Sequence, residues 1–339
     1  MILLLVLVLL GSTPISAFLQ YSKPAQSTDF FPQDITLRDD AFHGYRDHPC
    51  MEWWYFDASC DNGYSLQVGI SVVGMFGIGV VFERLTIYKN TDVIKRNAEY
   101  YLITDVVMAP DVPFVAIQGR TILTGITNTT TGNLEYTVSL DFSDCAVNLH
   151  YTGCTQGWKA QHNSKDWWGV FLPLAEVTGS MKIDSDIINV TGTGYHDHNW
   201  DVTGQTYLKH GWFWGKFSSP EYTVIWAVDL PTRTTYQPIV VVNKNNAGYT
   251  GVPPETISFS TEDLRLNHLK WIPYYLTIKT TADDVHLVVN MDVVNVDFQS
   301  VLTFIHYWRY HVKCTGDIMI NGKVETVDGV FIAEFGQLL

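Results

Sequence analysis

Charge is scarce in this 339-residue chain: 17% of its residues are Asp, Glu, Lys or Arg, against about 25% in an ordinary soluble domain. Positive charge is scarcest, with 21 Lys and Arg against 35 Asp and Glu, a formal net charge of −14. Without a basic surplus the chain cannot neutralise a run of phosphates, which excludes nucleic acid as a partner. Helical patterning is scarce too, with one short candidate over 261–270. That excludes a parallel α/β fold, which needs a helix between successive strands. A Gly-x-Ser-x-Gly elbow, a P-loop, a His-Glu-x-x-His pair and a Rossmann glycine fingerprint are all missing. Hydrolases and nucleotide enzymes of those types are therefore unsupported. Beyond the amino terminus no run reaches 18 uncharged apolar residues, so the mature chain is expected to be soluble.

What the chain has is apolar and aromatic. The hydrophobic fraction is 46% and the aromatic fraction 14%, with 11 Trp, 18 Tyr and 17 Phe. This can bury a real core and excludes disorder. Single cores stop growing at about 250–300 residues, so two domains are expected, 18–203 and 204–339, divided at Thr203-Gly204. The run ILLLVLVLL over 2–10, then Gly11, Pro14 and Ala17, reads as a signal peptide over 1–17. Export to the cell surface or beyond is the expected localisation, and sequons at Asn128 and Asn189 are compatible with it. Cys50, Cys60, Cys145, Cys154 and Cys314 give no zinc-site spacing. Cys50 and Cys60 flank one expected strand, about 30 Å apart if it is straight, so any disulfide would run between strands.

The local pattern is β nearly throughout. Strands are expected over 64–73, 79–88, 134–142, 146–151, 181–190, 221–230, 237–243, 285–294, 308–314 and 316–327, from β-branched and aromatic content with period-2 alternation. Turn signals separate them, and Asn321-Gly322 is the strongest hairpin signal. Short strands at this spacing predict an all-β protein of antiparallel barrels or sandwiches.

Three segments can carry chemistry. In 48–57, a strand puts Glu52, Trp54 and Phe56 on one face and Trp53, Tyr55 and Asp57 on the other. A carboxylate among indoles pays for desolvation unless it is paired, protonated or used. In 192–201, His196, His198 and Trp200 share one face, while Tyr195, Asp197 and Asn199 share the other. His-x-His on one face can bind zinc, with His43, His48 or Glu52 as a third ligand, but no spacing selects one. No metal is therefore expected. The other reading is acid–base work by Asp197 and His198 in a low-dielectric pocket. In 211–217, Trp212 and Trp214 share a face suited to walling an apolar ligand or a neighbouring domain. The strand that follows carries Trp226 and ends at Asp229.

Glu52-Trp53-Trp54-Tyr55 together with Gly192-x-Gly194-Tyr195-His196-Asp197-His198-Asn199-Trp200 resembles the hydroxyneurosporene synthase (carotenoid 1,2-hydratase) and AttH-like superfamily. Trp212-x-Trp214-Gly215 and Tyr307-Trp308, Thr315-Gly316, Gly329 and Glu334 extend the match over most of the mature chain. The resemblance implies two lipocalin-like β domains in tandem, a large apolar ligand and no cofactor. It implies roles for His198 and Trp200, and for a Tyr-x-Asp pair on a following strand. Asp229 matches that acid, but Ala227 stands where the Tyr is expected, a departure from the hydratase pattern.

The expected function follows. The chain binds a large hydrophobic, isoprenoid-like ligand and hydrates or isomerises it by acid–base chemistry, with Asp229 or Asp197 as acid and His198 as base. Trp200, Trp214 and Trp54 would stabilise a cation. Glu52, Trp53, Tyr55, Tyr195, His196, Asn199, Trp212 and Trp226 complete the expected ligand site. A lipid ligand also implies work near a membrane surface. Two competing readings are an exported lipid carrier without chemistry and a structural one, in which the motif side chains are buried glue with no cavity beside them. The oligomeric state is not legible.

Overall fold

The computed structural model describes residues 23–24, 30–44, 50–162, 166–202, 210–232, 235–301 and 305–338. The expected signal segment, the expected boundary at Thr203-Gly204 and His48 lie outside them.

Two antiparallel sheets make up the chain, as the all-β expectation requires. The first has 13 strands and is drawn from residues 33–202. Its central strand Cys50–Cys60 lies between Tyr64–Met75 and Asp186–Val202, and the order continues through Trp167–Ile183 and Cys145–Gly153. The second has 10 strands, nearly all from residues 212–338. Here Trp212–Ser218 lies between Tyr222–Asp229 and Lys323–Leu338. The short stretch Lys23–Pro24 crosses over to pair in parallel with Thr235–Lys244 of this second sheet. One sheet curls into a nearly closed barrel and the other into a half-barrel, a tandem lipocalin-like arrangement.

Expected strands recur with shifted ends. Asn321 and Gly322 both have positive φ, 50° and 81°, and join Ile305–Ile320 to Lys323–Leu338 as the Asn-Gly signal demands. The expected strand 181–190 instead spans a hairpin, because Asp184 takes φ of 54° and turns the chain between Trp167–Ile183 and Asp186–Val202. The helix candidate over 261–270 is corrected to strand. Ile257–Asn267 pairs along its length with Lys270–Thr281 and turns at His268 and Leu269. Sheet pairing there overrides a weak local pattern. Cys60, Cys145, Cys154 and Cys314 carry free thiols.

Alternation along the strands sorts the apolar side chains into three main clusters. Trp54, Phe56, Leu66 and Tyr151 fill the first barrel. Phe213, Trp226, Val240 and Trp308 fill the second. Tyr55, Trp158, Trp168, Tyr195, Trp214, Ile225 and Ile332 form a third, with partners from both sheets. One strand thus serves two cores: Trp54 and Phe56 point into the first barrel while Trp53 and Tyr55 point at the second sheet.

Candidate active site

Each motif strand presents one face to the third cluster. A cavity of about 110 Å³ lies there, walled by both sheets. Met51, Trp53, Trp54, Tyr55, Gly69 and Arg84 come from the first sheet's central strands, and Asp197 and Asn199 from Asp186–Val202. The second sheet contributes Trp212, Trp214, Ala227, Asp229, Tyr307 and Glu334.

Asp197 is buried and accepts hydrogen bonds at Oδ2 from the Tyr195 hydroxyl at 2.8 Å and the Trp168 indole at 3.1 Å. Burial pushes its carboxyl up, the two donors pull it down, and the result is about 7. At neutral pH it therefore populates both protonation states. Asp229 ends the strand Tyr222–Asp229, opposite Trp212, and its Oδ2 lies 2.5 Å from His162 Nδ1. His162 also lines the cavity and packs against Phe30. Glu334 accepts from the Tyr307 hydroxyl and from Arg309, which also reaches the Tyr55 hydroxyl. Burial raises the Glu334 carboxyl against the pull of Arg309.

The other face of Asp186–Val202 builds a second cluster, inside the first barrel. His198 places Nε2 2.9 Å from Glu52 Oε1 and Nδ1 3.0 Å from Asp40 Oδ1. His196 places Nε2 2.9 Å from Asp40 Oδ2, and its Nδ1 donates to the Tyr55 carbonyl. All four side chains are at most 5% exposed. Burial works against a charged His198, but the hydrogen bonds of Asp40 and Glu52 win and hold its pKa up at about 9. Burial raises Glu52 and Asp40, and their histidine partners bring both below the ordinary carboxylate range. His198 is thus an imidazolium between two carboxylates, stacked on Trp54 at 4.4 Å. Trp200 lies parallel to His43 at 4.4 Å and to Trp167 at 5.8 Å.

The structure therefore divides the expected site. Trp53, Trp54, Tyr55, Asp197, Asn199, Trp212, Trp214 and Asp229 line the cavity. Glu52, His196, His198 and Trp200 do not; Tyr195 acts through Asp197, and Trp226 packs in the second barrel. His198, expected as base, has both nitrogens committed to carboxylates. His43, Glu52 and His198 bring three ligand atoms within 4.8 Å of one another. Glu52 already accepts from the His43 backbone at 3.0 Å and from His198, so the group is closed by its own hydrogen bonds. Sequence reasoning missed His162, Arg84 and Asp40. None sits in a patterned motif: His162 follows the short strand Trp158–Gln161 and Asp40 ends the 3₁₀ turn Leu37–Asp40.

A two-lobed all-β body with its polar groups in an aromatic cavity between the lobes defines a tandem lipocalin-like protein. The chain is similar, as its motifs are, to hydroxyneurosporene-related and AttH-like proteins. No protein-family model matches it. It is 26% identical to a hydroxyneurosporene dehydrogenase from Chlorobaculum tepidum, over 56% of this chain and 59% of that protein. The match thus spans little more than half of that relative. Among solved structures, an AttH protein from Nitrosomonas europaea superposes with a TM-score of 0.64 at 12% identity, covering 92% of this chain and 98% of that one. Kievitone hydratase from Nectria haematococca gives 0.54 at 11% identity, covering 92% and 96%. CghA bound to Sch210972 gives 0.59 at 9% identity, also covering 92% and 96%. At these identities the superpositions show the fold.

Proposed function

We propose that this chain is a cofactor-independent lyase or isomerase acting on an apolar, isoprenoid-like ligand whose reacting end sits in the cavity between the sheets. One observation carries the reading. A carboxyl poised near neutrality, Asp197, and a His–carboxylate pair, His162 and Asp229, line the same aromatic-walled cavity. A cavity of about 110 Å³ has the volume of roughly four water molecules. It therefore takes one end of a long isoprenoid, not the whole.

Asp197 in its acid form donates its proton to an alkene carbon, leaving a tertiary carbocation that the faces of Trp53, Trp212 and Trp214 stabilise. Water adds to the cation and gives its proton to the His162–Asp229 pair, completing a hydration. Loss of a neighbouring C–H proton to the same pair completes an isomerisation instead. In either case the pair's proton returns to Asp197 through solvent. Relatives named for hydroxyneurosporene and for a hydratase support this class of chemistry.

The test is incubation of the purified chain with an acyclic isoprenoid alkene in D₂O, with the product read by mass spectrometry. Deuterium is expected on the protonated carbon with wild type and is lost with Asp197→Asn. If Asp197→Asn and Asp229→Asn both keep wild-type incorporation, the assignment fails. Tight binding with no deuterium in the wild type would establish the carrier reading in its place.

A further inference from the structure

Arg84 belongs to the strand Ile78–Lys89, directly opposite Gly69, and both residues line the cavity. Gly69 is what lets the guanidinium settle there. A Cβ at that position would stand 3.0 Å from Arg84 Nη2 and 3.4 Å from Nε. The guanidinium thus lies close over Gly69, with Cζ over the Phe82 ring, 5.5 Å from its centroid.

Among the described residues no carboxylate pairs with Arg84, although Glu334 lies on the same cavity. The Arg84 Nε is buried without a hydrogen-bond partner. Arg84 is partly buried, and three cations at similar or greater depth are matched: Arg309 with Glu334, Lys216 with Asp57, and the half-buried Arg120 with Glu83. Each nearby carboxylate has one oxygen committed to other donors. Glu334 Oε1 takes Tyr307 and Arg309, and Glu83 Oε1 takes Tyr101 and Arg120. A guanidinium stays charged, and withdrawing it partly from water without a paired anion is costly. A cavity that keeps one is shaped for a ligand that brings the opposite charge.

We propose that Arg84, seated on Gly69, binds the carboxylate of a ligand whose apolar body lies against Trp53, Trp212 and Trp214. The guanidinium fork matches a carboxylate in two parallel hydrogen bonds. The inference rests on reading the cavity as the ligand site, and it narrows the substrate class from isoprenoid hydrocarbons to isoprenoid or similar apolar acids.

The test is equilibrium binding to the full chain, followed by quenching of tryptophan fluorescence. Two probes share one C15 isoprenoid chain: the carboxylic acid and the hydrocarbon. The acid is expected to bind at least tenfold more tightly. Arg84→Met should bring the acid to within twofold of the hydrocarbon. Gly69→Ala, which displaces the guanidinium without removing it, should weaken the acid severalfold, with thermal melting as the check that both variants fold. Equal binding of the two probes, or unchanged acid binding in both variants, overturns the role of Arg84 and leaves the catalytic reading standing. Binding of neither probe overturns the cavity reading and this proposal with it. Acid preference in a chain that incorporates no deuterium removes the catalytic reading alone.

Discussion

Asp197 and His198, neighbours in the chain, face opposite sides of the strand Asp186–Val202. The carboxyl points into the cavity between the sheets, and the imidazole points into the first barrel between Asp40 and Glu52. The same fold treats them in opposite ways. Asp197 is surrounded by neutral donors and burial holds it near 7, whereas two carboxylates hold His198 charged at about 9. Only the first is a group whose proton can move at neutral pH.

The pH profile of turnover should report Asp197. An acid must be protonated to donate, so the rate of deuterium incorporation is expected to be high below about pH 7 and to fall as pH rises through that value. Asp197→Asn should abolish the incorporation while leaving ligand affinity within a few-fold. A profile flat from pH 5 to about 9 would remove Asp197 from the acid role.

His198 should instead govern stability. Its folded pKa is raised, so its contribution is complete below its ordinary, unfolded value and is lost as pH rises through about 9. Asp40 and Glu52 are lowered, so their contribution is present above the ordinary carboxylate range and is lost as pH falls through their depressed values. Urea denaturation should therefore show a plateau between the ordinary carboxylate range and about pH 6.5, a decline from there that is complete above about pH 9, and a second decline in acid. His198→Ala leaves two buried carboxylates facing each other, and a loss of about 3–5 kcal/mol is expected. A loss of turnover in His198→Ala with unchanged stability would contradict this assignment.

His162 and Asp229 should behave as one unit. Replacing either, as His162→Gln or Asp229→Asn, is expected to lower turnover by roughly 10²–10⁴-fold, the range for a positioned base. The double variant should lose little more than either single one, because the pair acts together. Ligand affinity measured by fluorescence should stay nearly constant in all three. Strictly additive losses would mean that the two groups work separately.

The fold was largely legible because antiparallel strands leave a period-2 signature, and the faces were legible for the same reason. Tyr195, Asp197 and Asn199 were separable from His196, His198 and Trp200 by counting alone. What counting could not tell was which face met the cavity, since both carry aromatic and titratable side chains. The answer depends on the second sheet, which brings Trp212, Trp214 and Asp229 against the Asp197 face, and on Asp40, which arrives inside the barrel from a turn 156 residues before His196. His162 and Arg84 were invisible for a related reason. Each stands alone in its local sequence, and only strand pairing and sheet packing bring it to the site.

The glycines of the two motifs make a last prediction. Gly194 leaves room for the Tyr151 ring, and a Cβ there would lie 2.6 Å from Cε1 and 2.5 Å from Val177 Cγ2. Gly215 does the same for Trp226, with Cζ2 at 2.5 Å. In both cases the neighbour is a bulky core side chain with nowhere to retreat. Gly194→Ala and Gly215→Ala should each cost about 1–3 kcal/mol through overpacking, read as a lowered urea midpoint with an unchanged slope. Trp226 packs in the second barrel, away from the cavity. Folded Gly215→Ala protein should therefore bind ligand as wild type does. A fall in affinity without a fall in stability would mean that Gly215 serves the cavity directly, and that the aromatic motif there was kept for the ligand and not for the barrel.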